Sequence, residues 1–145
     1  MNKDIVKALN ESVLKGFFDM AFIEVIPMSS VDVPDPIHYT NIFAIGSTAP
    51  EIIQLQFFLP VECKKMIVEN IYTKMWEEIT SSLVDDCILE MINVVGGNFF
   101  SQYFGDQLRY EMGLPHILFD DSDVDEGKVF LFNAEGIFFK ISVVS

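Results

Sequence analysis

A chain of 145 residues, half of them apolar and with a formal charge of −13, is long enough for one domain with a sizeable core and too hydrophobic to stay disordered. The charge argues against nucleic acid and against an anionic membrane surface, since both need clustered Lys and Arg. Cys63 and Cys87 form neither a CxxC pair nor a zinc-spaced cluster with histidine; they read as small buried hydrophobes in a reducing compartment.

The N-terminal "MNKDIVKALNES" has no signal-peptide apolar run, and "GFFDMAFIEVIP" is interrupted by Asp19 and Glu24 and too short to span a bilayer. The expectation is a soluble cytoplasmic protein, one domain over 1–145. Ile5, Leu9, Val13, Phe17 and Met20 recur at helical spacing, predicting a helix from 4 to about 21. Pro27 breaks it, and "SSVDVPDPIHY" reads as loop. A hairpin follows, with strands at 42–45 and 52–59 and a turn at 46–50. In "VECKKMIVENIYTKMW", Cys63, Ile67, Ile71 and Met75 form the stripe of an amphipathic helix.

The next helix starts at Thr80 to Ser82, good capping residues, with Asp85 and Asp86 in its first turn. It runs to about Phe104 with Gly105 as a stop, and a shorter helical piece can follow to Met112. "HILF" reads as a short strand, "DDSDVDEG" as a loop, and "KVFLFN" with "IFFKISVV" as a second hairpin across residues 134–136. Both ends thus read helix, loop, hairpin. Helices on one face of a mainly antiparallel sheet give a two-layer α+β fold.

The third helix holds the unusual residues. Asp86, Glu90, Asn93 and Gly97 trace one stripe, while Val84, Ile88, Met91, Ile92, Val95 and Phe99 cover the other side. A solvated outer face is one reading. Against it, Asn is a poor helix former, and Gly96 and Gly97 cost about 1 kcal/mol each inside a helix. Glycines there let another molecule approach the helix backbone; alternatively they mark a helix end capped by Asn98.

Asp86-x-x-x-Glu90-x-x-Asn93-x-x-x-Gly97 resembles the signature of the CheC/CheX/FliY chemotaxis phosphatases. Gly113-Leu114-Pro115 before a strand is also similar to the segment that follows the motif helix in that family. The first helix carries Glu11-Ser12-Val13-Leu14, with Leu where a second motif requires Asn, so the single-motif, CheX-like form is the match. The resemblance implies a phosphatase acting on the aspartyl phosphate of a CheY-like receiver. It gives Asn93 the placing of a water in line with phosphorus and Glu90 a pairing with the receiver's Lys, Asp86 and Gly97 lying in the same contact. Mg²⁺ then comes from the receiver, the chain itself needs no cofactor, and a homodimer is implied, which the apolar strands "KVFLFN" and "IFFKISVV" could form edge to edge. A non-catalytic receiver-binding module, or a flagellar-switch-type relative, is the competing expectation.

Other motifs carry less. Asp121, Asp123 and Asp125 match the first three ligands of an EF-hand loop, but the glycine comes late at 127 and Phe132 stands where a ligand is needed. That run reads as a solvated acidic loop. His38 and His116 are far apart in sequence and read as ordinary surface or strand residues.

Overall fold

The computed structural model describes residues 4–29, 37–105, 109–118 and 127–145. The acidic run with Asp121, Asp123 and Asp125, and most of the Pro34–Pro36 loop, lie outside them.

Helix α1 (Ile5–Ala21) starts on Asp4, whose carboxylate accepts the Lys7 backbone N–H at 2.9 Å. Leu9, Val13 and Phe17 are fully buried, as their spacing requires. Strand β1 (Val25–Met28) follows, a strand the sequence reading did not place, having read Pro27 only as a helix breaker. It is an edge strand paired with one neighbour, and Pro27 is tolerated there because the outer side of an edge needs no N–H donor.

Strands β2 (Ile42–Ala49) and β3 (Ile53–Phe58) form the first hairpin. Strand β2 continues through Gly46, so the turn is tighter than the predicted 46–50. Gly46 stays in the ladder opposite Gln54, and Ser47 closes the hairpin end. Its hydroxyl donates to the Glu51 carbonyl at 2.7 Å and accepts the Ile53 N–H at 3.1 Å. Helix α2 (Val61–Tyr72) stops at Thr73, which takes a left-handed conformation, φ 52°. Cys63 and Ile67 are buried as predicted, but Met75 falls beyond the helix and is exposed. A single 3₁₀ turn (Trp76–Glu78) then leads to α3 (Ser81–Phe104). Thr80 Oγ1 accepts the Leu83 N–H at 3.2 Å, which places Asp85 and Asp86 in the second turn rather than the first.

Residues 111–112 are extended, not helical. Strand β4 (Glu111–Met112) lies along β2, and Gly113 donates its N–H to the Gly46 carbonyl at 2.8 Å, so pairing to the sheet edge overrides local helical preference. Strand β5 (His116–Leu118) pairs with the same side of β2. Strands β6 (Lys128–Ala134) and β7 (Ile137–Val144) form the second hairpin. Glu135 and Gly136 both have positive φ, 51° and 98°, the backbone of a two-residue type I′ turn.

The sheet order is β1-β6-β7-β3-β2, with β4 and β5 beyond β2, and every pairing is antiparallel. It reads the same from either end about the β7–β3 seam. The strand after α1 edges the β6–β7 hairpin, and β5, after α3, edges the β2–β3 hairpin. The shared grammar of the two ends therefore has a topological counterpart. Strands β6 and β7 are both interior, so they cannot supply the edge-to-edge contact suggested for them from sequence.

One sheet face, with Phe43, Ile45, Leu55, Phe57, Phe132, Phe139 and Ile141, shares a single core with the three helices. This is the expected two-layer α+β architecture. Helices α1 and α3 meet closely at Gly16 and Val95, where a Cβ on Gly16 would lie 2.7 Å from Val95 Cγ2.

Candidate functional site

Helix α3 turns its apolar side to the core: Val84, Ile88, Met91, Ile92, Val95 and Phe99 are all buried. The polar stripe is thereby set on the outside. Asp86 and Glu90 are exposed, and Asn93 and Gly97 half-buried. At 100° per residue these four fall within a sector of about 60°, and Glu90 and Asn93 are separated by about 4.5 Å along the axis. A carboxylate and a carboxamide thus leave one helix face side by side.

Among the described residues neither the Glu90 nor the Asn93 side chain has a hydrogen-bond or ion-pair partner. By contrast, the exposed Gln102 amide further along α3 donates to Glu11 at 2.8 Å. The Asn93 carboxamide keeps one acceptor and one donor group free, and Glu90 keeps acceptors only. Near the start of the stripe, α2 brings Tyr72 close. Burial, the neighbouring Cys87 and the Asp86 carboxylate hold its phenol above the usual range, so it stays a neutral donor.

The adjacent glycines have different surroundings. A Cβ on Gly96 would meet Ile45 Cγ2 at 2.8 Å, whereas one on Gly97 would meet nothing within 4 Å. The helix runs on past both to Phe104, so Asn98 caps nothing. Gly96 therefore serves packing against β2, and only Gly97 leaves the outer backbone open to an approaching molecule.

Sequence reasoning missed Leu83. It is 41% exposed, and it lies three residues before Asp86, extending the outer face with an apolar side chain. The signal was present in the 83, 86, 90 spacing after a clear cap. His38 and His116 are both exposed, and the His116 Nδ1 lies 3.2 Å from the Leu114 carbonyl. Among the described residues no group of three or more His, Cys, Asp and Glu could hold a metal ion. Among the described residues no helix is long and apolar enough to cross a membrane.

No protein-family model and no curated protein matches the sequence. Solved structures do match the fold. The chemotaxis protein CheX from Desulfovibrio desulfuricans superposes with a TM-score of 0.76 at 15% identity, over 97% of each chain. The chain has the CheX fold. A CheC-like superfamily protein from a Shewanella species gives 0.73 at 18% identity over 100% of both chains. CheX in the CheX–CheY–BeF3–Mg²⁺ complex from Borrelia burgdorferi gives 0.72 at 10% identity, covering 99% of this chain and 98% of that one. The likeness extends with lower scores, 0.61 and 0.59, to Thermotoga maritima FliY and the FliM middle domain of Vibrio alginolyticus. In this chain, the helix that carries Glu90 and Asn93 is thus the outer-faced α3 of a CheX-type sandwich.

Proposed function

We propose that the chain is a cytoplasmic CheX-type member of the CheC/CheX/FliY family that accelerates hydrolysis of the aspartyl phosphate on a CheY-like receiver. One observation carries the reading: on a CheX fold, a carboxylate and a carboxamide with no partner among the described residues stand one turn apart on an exposed helix face. The Borrelia CheX that shares the fold forms a complex with CheY, which supports a receiver as partner.

The division of labour follows from the groups. Asn93 accepts from a water through its carboxamide oxygen and donates through its nitrogen, holding the water in line with the phosphorus. Glu90 pairs with a cationic group of the receiver, a charge-assisted contact that sets the docking geometry. Gly97 lets the receiver come close to the helix backbone, and Asp86 and Leu83 extend the contact toward the helix start. The receiver's own Mg²⁺ supplies charge neutralisation at the phosphoryl group. What remains for this chain is positioning, which can lower a barrier by several kcal/mol. The homodimer implied by the resemblance belongs to the same proposal, and sheet pairing between copies would use β1, β4 or β5, the strands at the sheet edges.

The test is phosphate release from a phosphorylated receiver with and without the chain. Asn93→Ala abolishes the acceleration while binding persists, and an Asn93→Ala variant as active as wild type would overturn the catalytic role. The likeness to the FliM middle domain and FliY favours a second reading, a receiver-binding or switch-type module. That reading predicts binding without any acceleration by the unmodified chain.

A further inference from the structure

Helices α1 and α3 hold equivalent places in the two halves of the fold, yet their outer faces differ in kind. On α1 the outward row is Glu11, Leu14, Phe18 and, at the helix end, Phe22. Phe18 and Phe22 are 51% and 74% exposed and touch edge to face, with ring centroids 6.5 Å apart. Phe22 also sits at φ 56°, a left-handed conformation that is unfavourable for a side-chain-bearing residue. Its ring gains no core burial in return.

Beside the Phe18 ring lies a groove of about 610 Å³. Leu14, Phe18, Ile23, Val25 and Ile26 make its apolar walls, and Ile26 on the edge strand is 59% exposed. The rim is acidic. Glu11 and Glu24 border the groove, and Glu135 stands next to Glu24, accepting its backbone N–H at 3.0 Å. Among the described residues the one lysine on the rim, Lys15, is paired with Asp19 at 2.7 Å. Among the described lining residues Glu11 and Glu24 thus have no unpaired lysine or arginine beside them, and Glu135 adds a carboxylate next to Glu24. Joining two copies through this face would set like-charged rims together on chains that already carry −13 each.

We propose that the α1–β1 groove docks an amphipathic helix of a partner protein, one with an aliphatic or aromatic stripe flanked by Lys or Arg. The apolar floor takes the stripe and the acidic rim selects its charge. This surface is separate from the α3 stripe, and the proposal does not rest on the phosphatase reading.

The test uses the full chain and a fluorescein-labelled peptide of about 18 residues, roughly five helical turns, with Leu on one face and Lys on the other. A second peptide carries Glu in place of Lys. The expected result is saturable one-to-one binding of the Lys peptide by anisotropy and none of the Glu peptide. Phe18→Asp and Glu24→Lys, each checked for native circular dichroism, should weaken binding at least tenfold. Equal affinity for wild type and Phe18→Asp, or no saturable binding, overturns the proposal. So does light scattering that finds a dimer which Phe18→Asp splits, because a second copy is then the occupant.

Discussion

Gly96 and Ile45 lie in contact across the helix–sheet interface, close enough that a Cβ on Gly96 would come within 2.8 Å of Ile45 Cγ2 and 3.0 Å of its Cδ1. Gly97, one residue on, faces open space. Adjacent glycines thus have unrelated roles, one internal and one external.

Substitution separates them. Gly96→Ala forces Ile45 to shift in a close-packed core and should destabilise by roughly 1–3 kcal/mol, less the helix-propensity gain of about 1 kcal/mol. Gly97→Ala keeps only that gain and should match or exceed wild type in urea, while weakening receiver binding. Equal urea midpoints for the two variants would contradict this assignment.

Glu90 is exposed, so the receiver contact proposed for it would be screened rather than buried. Glu90→Ala should weaken receiver binding by roughly 5- to 10-fold at low salt, and the gap to wild type should narrow as ionic strength rises. A loss that does not change with salt would point to a packing role instead.

The buried thiols set an alkaline limit on stability. Burial, with help from Glu62, pushes Cys63 from 9.0 up to about 12, and burial pushes Cys87 from 9.0 up to about 11. The folded state therefore favours the protonated thiols. Their contribution is fully present below the unfolded value and is lost as pH rises through the folded ones, a window from about 9 to 12. Tyr103 adds to the same trend, its phenol raised by burial and by the charge and hydrogen bond of Glu51. Urea titrations across pH should show a plateau at neutral pH and a fall above about 9. Both thiols should resist a thiol-specific reagent at pH 8 in the native chain and react in urea.

Thr80 caps the helix that carries the site. Thr80→Ala leaves the Leu83 N–H without its side-chain acceptor and should cost about 1 kcal/mol, read as a lowered urea midpoint. Thr80→Ser should restore most of it.

Much of this was legible along the chain. The spacing of Leu9, Val13 and Phe17, the Thr80 cap, the Gly105 stop and the Glu135-Gly136 turn are local signals, because capping, turn geometry and helical periodicity depend on near neighbours. So was the grouping of Asp86, Glu90, Asn93 and Gly97 on one face, which follows from 3.6 residues per turn. Edge strand β1, the extended run at Glu111 and Met112, and the continuation of β2 past Gly46 were not legible. Each is held by a partner distant in sequence: β6 for the first, β2 for the second, β3 for the third.

The sequence by itself determined which residues share a helix face, where that helix begins and ends, and that its two sides differ in polarity. Only the tertiary structure decided which side looks outward, that Gly96 belongs to the sheet contact and Gly97 to the surface, and that β6 and β7 lie inside the sheet. The reason is physical. Periodicity is a property of the backbone alone, but burial depends on what packs against each face, and sheet pairing joins segments whose separation along the chain leaves no local trace.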